Sequence, residues 1–278
     1  MNDPLKLFDL HERTAIITGG AGLLGTQFCQ TLAMAGANVI VADRNGNGAN
    51  LLANQLRQEG CQAWGVETNI TDPISVAKMI SIAIDVSGRL DILVNSAALD
   101  PKFDVQHMDE SPQFPGSGAF ETFPLDAWNN ALDVNLTGTF LCCQAAVRPM
   151  LEQEKGVIIN LASIYGLVGP DQRLYQRQDQ PARFKPIYYS VTKAGILGLT
   201  NYLAVYYAGK NIRVNALTPG GVENNHDDEF LQAYAARTVL GRMAKKDELN
   251  GALLFLASEA SSYMTGANLV VDGGWTAW

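Results

Sequence analysis

Tyr189 and Lys193 stand four residues apart in the run YYSVTK, a step that places both side chains on one face of a helix. Upstream, the β-branched apolar run GVIINLAS, Gly156 to Ser163, reads as a buried strand that delivers the Ser163 hydroxyl from its carboxyl end. A hydroxyl, a phenol and an ammonium gathered at one point suit general acid–base work on an alcohol or a carbonyl. The ammonium favours the phenolate, lowering a tyrosine from its ordinary pKa of about 10 toward working pH. The serine can hold the substrate oxygen in line. Many surface helices carry a tyrosine and a lysine at this spacing, so the neighbouring elements must carry the assignment.

Those elements alternate between strand and helix. RTAIIT, Arg13 to Thr18, is a short apolar strand followed directly by the turn GGAGLLG and an amphipathic helix to about Ala35. In that context Gly19, Gly22 and Gly25 let the backbone approach a pyrophosphate, and the helix start offers free N–H groups and a positive dipole end. The next strand, NVIVAD, ends on Asp43. A carboxylate there accepts from ribose hydroxyls and repels a 2′-phosphate, so NAD is expected in preference to NADP. Arg44, beside it, is the group that could accommodate the phosphate instead. A helix over Gly48 to Glu59 and a strand over Ala63 to Thr68 follow, setting Asn69 and Ile70 beside the adenine. A helix from Pro73 to Ser87 starts on proline and stops at Gly88. The strand DILVNSAA comes next, then a helix from about Asp126 to Glu154. Strands NIRVNAL and NLVVDGG, with a helix over Asp247 to Ser258 between them, complete the pattern. Such regular alternation predicts an α/β protein: a doubly wound parallel sheet of about seven strands, with helices on both faces.

Bulk properties narrow the function further. The 278 residues suffice for one large α/β domain, and no linker divides them. A net charge of −8 argues against nucleic acid or an anionic membrane as a partner. No apolar run approaches the ~20 residues that span a bilayer, and MNDPLKLFDLHER has no signal-peptide pattern. Cys29, Cys61, Cys142 and Cys143 lack metal or disulfide-framework spacing and read as reduced packing residues, which fits a cytoplasmic protein. His11, His107 and His226 form no triad or metal pattern, so no metal is expected.

Seven motifs in order, TGGAGLLG (Thr18 to Gly25), LVNSAA (Leu93 to Ala98), DVNLTG (Asp133 to Gly138), NLAS, YSVTK, TPGG (Thr218 to Gly221) and VDGG (Val271 to Gly274), resemble the short-chain dehydrogenase/reductase family over nearly the whole chain. The resemblance implies a single Rossmann domain over residues 1–278 and a catalytic set of Asn135, Ser163, Tyr189 and Lys193. Tyr189 would be the acid/base and Ser163 the anchor of the substrate oxygen. Lys193 would bind nicotinamide-ribose hydroxyls while tuning Tyr189, and Asn135 would hold a water in the proton relay. Gly19, Gly22, Leu24, Gly25 and Asp43 would take the adenosine and pyrophosphate end. Asn95, Ala97, Pro219, Gly220 and Val222 would line the nicotinamide side. A homotetramer or homodimer is implied, built on two long helices and the last strand. Two features depart from the short form. Leu23 stands where a glycine is usual, a spacing similar to that of sugar-nucleotide epimerases, and NSAA replaces the usual NNAG.

The segments at about 99–126 and 170–186 are longer than the short form normally shows, and both are expected over the substrate mouth. In this they resemble oxidoreductases of bacterial surface-sugar biosynthesis, such as those of flagellin glycosylation. The second segment is basic, and Tyr165, Arg173 and Arg177 are the candidate substrate contacts, suited to a sugar-like or anionic carbohydrate. The alternative is that these arginines pair with Asp100, Asp104, Asp109 and Glu110 of the first segment. The function expected is NAD(P)-dependent interconversion of a secondary alcohol and a ketone on a small molecule. Its rivals are an epimerase or dehydratase that returns the hydride, and a dinucleotide-sensing regulator without catalysis. The apolar ending WTAW is expected either to pack against a neighbouring subunit or to fold back on its own core.

Overall fold

Seven strands form one parallel sheet among the residues that the computed structural model describes, 3–100, 118–177 and 182–278. They are β1 (Thr14–Thr18), β2 (Asn38–Asp43), β3 (Ala63–Glu67), β4 (Ile92–Asn95), β5 (Gly156–Leu161), β6 (Ile212–Pro219) and β7 (Asn268–Val271), ordered β3-β2-β1-β4-β5-β6-β7. The order reverses between β1 and β4, which opens a crevice beyond the carboxyl ends of the strands at that point.

Alternate residues of each strand serve opposite faces, and the packing shows it. Ile17, Val41, Val94 and Ile159 join one core with Phe28 and Leu32 of α1 (Leu23–Met34), Leu52 and Leu56 of α2 (Gly46–Gln58), and Leu253. Ile16, Ile40, Leu93 and Ile158 join the other with Val76 and Met79 of α3 (Pro73–Ser87). Helices therefore cover both faces, and β1 and β5 are buried along their whole length. That is why these strands read as unbroken apolar runs rather than as alternating ones.

Several boundaries differ from expectation. The fourth strand stops at Asn95, because the Ser96 and Ala97 N–H groups leave the ladder to bond the Thr18 hydroxyl, at 3.2 and 3.3 Å. The helix expected over 126–154 is three pieces: α4 (Leu125–Leu132), a π-turn over Asp133–Thr137, and α5 (Gly138–Glu152). The extra residue in the π-turn frees the local backbone from regular spacing, a device that recurs at functional sites. Further on, α6 (Ile187–Tyr206) carries the Tyr189 motif, and α7 (Asp228–Ala235) and α8 (Asn250–Ala257) follow. At the C-terminus, one of the two tryptophans takes the fold-back alternative. Trp275 is only 9% exposed and stacks on Tyr234 of its own chain, with ring centres 4.4 Å apart. The tail folds back because that stack covers an indole that would otherwise face water; Trp278, at the very end, stays exposed. No helix among the described residues is long and apolar enough to cross a membrane.

Candidate active site

One cavity of about 910 Å³ runs along the carboxyl ends of the strands, from the Asp43 end of β2 to α7. Its first half is built by the glycine turn. Gly19 sits at φ +65°, and a Cβ on Gly25 would lie 2.0 Å from the Gly19 carbonyl oxygen, so the turn folds onto the start of α1 only with glycine there. No side chain caps α1, and its first residues Leu23, Leu24 and Gly25 line the cavity. Asp43 is held by two backbone donors, Ala21 N to Oδ2 at 3.0 Å and Asn45 N to Oδ1 at 2.9 Å. Each oxygen keeps lone-pair capacity for a further donor. Arg44, Asn69 and Ile70 complete this end. A backbone-lined cradle at a helix start, closed by a fixed carboxylate, fits a dinucleotide.

The second half holds the reactive groups. β5 ends at Leu161, and the chain carries Ser163 forward in extended conformation. The turn Ile164–Gly166 then packs so tightly on α6 that a Cβ on Gly166 would meet the Lys193 carbonyl carbon at 2.7 Å. This close approach brings a residue from a strand end beside two from a helix. Ser163, Tyr189 and Lys193 all line the cavity. Lys193 Nζ donates to the Leu161 carbonyl at 2.7 Å and lies 5.8 Å from the centre of the Tyr189 ring.

Burial governs the electrostatics here. It is the largest influence on Tyr189 and holds the phenol well above its ordinary pKa; Asp100 pushes the same way, and the nearby Ser163 hydroxyl opposes both. Burial likewise lowers Lys193 to about 8. The sequence suggested that Lys193 would pull Tyr189 down. In the polypeptide itself desolvation outweighs that effect, because the ammonium is turned toward a carbonyl rather than the phenol oxygen.

Asn135 is buried on the π-turn and does not line the cavity. Its Oδ1 accepts from Leu99 N at 2.6 Å, while Nδ2 donates to Leu99 O at 3.1 Å and to Thr192 Oγ1 at 3.2 Å. Both ends of the amide are engaged, so the side chain is a brace between the chain beyond β4 and the turn of α6 that carries Lys193. Asn95 also points away from the cavity, its Nδ2 donating to Asn160 Oδ1 at 2.8 Å. Its neighbours Ser96, Ala97 and Ala98 form the wall instead, opposite Pro219, Gly220 and Val222, and Gly22 and Leu24 line the first half.

The substrate end differs most from the sequence reading. Tyr165 lines it, its hydroxyl 3.0 Å from that of Tyr175. Arg173 and Arg177 do not reach the cavity. Arg173 is engaged by Asp171 at 2.8 Å, and Arg177 by Asp227 at 2.8 and 2.9 Å. Among the described residues, their partners are an acid of their own segment and one just before α7, and a described pair that joins the two inserted segments is Lys185 with Asp100. Asp104, Asp109, Glu110 and His107 lie outside the described residues. His226, to which the sequence pointed in no way, lines the cavity stacked on Phe230 at 4.8 Å. Tyr234 closes this end and accepts the Gly221 N–H.

A family model described as enoyl-(acyl carrier protein) reductase matches residues 20–276. The cis-4-hydroxycyclohexanecarboxylate dehydrogenase of Sinomonas cyclohexanicum is 35% identical over 271 residues, 96% of this chain and 97% of that one. A short-chain type dehydrogenase/reductase from Mycobacterium marinum superposes with a TM-score of 0.84 at 32% identity, covering 99% of each chain. A gluconate 5-dehydrogenase from Burkholderia cenocepacia, solved in complex with NADP and tartrate, superposes with a TM-score of 0.83 at 32% identity, covering 99% of this chain and 100% of that one.

Proposed function

Since this chain belongs to the short-chain dehydrogenase/reductase family, oxidoreductases of CH–OH groups that use NAD(P), we propose that it interconverts a secondary alcohol and a ketone on a small, sugar-like substrate, with NAD as the preferred cofactor. The observation that carries the proposal is that Ser163, Tyr189 and Lys193 come together in the cavity whose other end is the glycine cradle.

Bound NAD(P) supplies the two-electron acceptor or donor at the substrate carbon. Ser163 and Tyr189 hold the substrate oxygen between them. In the oxidative direction Tyr189 takes the carbinol proton; in the reductive direction it returns one to the ketone oxygen. Lys193 supplies the ammonium that binds ribose hydroxyls. Asn135 acts as a positioning residue, fixing the turn of α6 on which Lys193 stands. Asp43 receives the adenosine ribose hydroxyls and disfavours a 2′-phosphate.

The sugar-like substrate rests on the wall beyond Tyr189, where the hydroxyls of Tyr165, Tyr175 and Tyr234, His226 and Asn224 gather around a small apolar floor of Phe230 and Met243. The relative named for gluconate favours the same class, and the one named for 4-hydroxycyclohexanecarboxylate favours a cyclic secondary alcohol. An assembly through α5 and α6 accords with the exposed Phe140, Tyr202, Val205 and Tyr206, and light scattering should return a multiple of the 30.0 kDa chain. The functional test is a panel of polyols, hydroxy acids and cyclic alcohols with both cofactors, followed by absorbance of the reduced nicotinamide. Steady accumulation with a secondary alcohol is expected. Conversion of substrate without accumulation would favour an epimerase, and no conversion at all would contradict the proposal.

A further inference from the structure

A second buried ammonium, Lys185, stands at the reactive end of the cavity. Lys185 is 8% exposed and holds Nζ 4.1 Å from the centre of the Tyr189 ring, on the wall where a substrate must lie. Its backbone is fixed from both sides by Gln172, whose Oε1 accepts from Lys185 N at 2.8 Å and whose Nε2 donates to Lys185 O at 3.1 Å. The position of the charge is therefore built in.

Among the described residues, the other candidates for an anion at this end are spoken for. Lys193 is turned to the Leu161 carbonyl. His226 is held below its ordinary pKa by burial and is neutral at neutral pH. Arg44 stands beside Asp43 at the opposite end of the cavity, and Arg173 and Arg177 are outside it. A buried ammonium needs a counter-charge, and Lys185 has one in Asp100, which meets it from the chain beyond β4. The two partners are unlike in burial: the Lys185 side chain is 8% exposed and that of Asp100 is 54%. Asp100 can return to water with little loss of solvation, whereas Lys185 cannot.

We propose that Lys185 recognises a carboxylate on the substrate, and that Asp100 is a resident anion which that carboxylate displaces. The proposal rests on the dehydrogenase reading and deepens it, making the substrate a hydroxy acid or its keto acid. Ser163 and Tyr189 take the carbinol oxygen while Lys185 takes the carboxylate, so two points of one small molecule are fixed. The exchange keeps the buried charge compensated with the site empty or filled.

The test uses matched pairs, such as 4-hydroxycyclohexanecarboxylate with its primary amide and gluconate with gluconamide, on wild type, Lys185→Met, Lys185→Arg and Asp100→Asn. Binding is read by calorimetry, which needs no turnover, and kcat/KM by cofactor reduction. Wild type should prefer the acid in at least one pair. That preference, taken as a ratio of acid to amide, should fall about tenfold or more in Lys185→Met, be largely kept in Lys185→Arg, and rise in Asp100→Asn. Equal handling of acid and amide by wild type, or an unchanged ratio in Lys185→Met, overturns the carboxylate assignment. Turnover of uncharged alcohols alone would sink it while leaving the dehydrogenase reading intact. Acid binding that depends on Lys185 without cofactor reduction on any alcohol would instead sink the dehydrogenase reading and support the carboxylate site.

Discussion

A buried phenol held above its ordinary pKa stays protonated at neutral pH, so the proton-donor form is abundant there and the base form scarce, and the pH dependence should show it. Tyr189 loses its proton only as pH rises, so alcohol oxidation should accelerate from neutral to alkaline pH, while ketone reduction keeps its proton donor over the same range. Lys193 works in the opposite sense. Its ammonium is fully present below about 8 and is lost as pH rises through that value. Cofactor affinity should therefore weaken above about pH 8 in the wild type, and fluorescence titrations of Lys193→Met should lose that dependence along with part of the affinity. At the other end of the cavity, Asp43→Ser removes a charge-assisted acceptor worth ~1.5–3 kcal/mol, and the ratio of NAD to NADP affinity should fall about tenfold or more. Ser163, Tyr189, Lys193 and Asp43 were legible in the sequence because each sits at a strand end or at a fixed step along a helix. Asp100 could be named as a partner for the basic segment, but the places of Lys185 and His226 in the cavity wall could not be read, because irregular chain delivers them, and no period sets where such chain runs.

Among the elements, the Ser163 turn packs closely on α6, and the second inserted segment is tied to α7. Asp171 engages both Arg173 and Arg237, and Arg177 engages Asp227, while Tyr175 packs on Phe230 with ring centres 5.7 Å apart. Asp227 also caps α7, accepting from Phe230 N at 2.8 Å. Asp227→Ala removes the cap and the ion pair together, and the cap alone contributes ~1 kcal/mol to such a helix. The expected outcome is faster hydrogen exchange across α7 and a raised KM for the substrate, with cofactor affinity nearly unchanged; a matching loss of cofactor affinity would show that α7 is not confined to the substrate end. The basic residues of this segment could be seen in the sequence, but their partners could not. Asp171 lies two residues from Arg173, yet Asp227 lies far along the chain and meets Arg177 only through the tertiary fold.

At the scale of the molecule, the sheet order and its two covered faces follow from runs of apolar residues separated by helices, which is why the architecture could be read before the structure. What could not be read is where elements yield to the site: the early end of β4 at the Thr18 hydroxyl, the π-turn that seats Asn135, and the return of Trp275 onto Tyr234. Each is a local departure from regular geometry fixed by a contact distant in sequence. Together they leave a cavity with a dinucleotide cradle at one end and a phenol at the other, and the account stands on that phenol. Its most direct test is Tyr189→Phe, which removes the one oxygen able to pass the proton and leaves the ring packing in place. Transient kinetics with a substrate found in the panel should give a fall of ~10²–10⁴ in the rate of cofactor reduction, with the cofactor dissociation constant within a few-fold of wild type. A variant that reduces cofactor at more than about a tenth of the wild-type rate would contradict it.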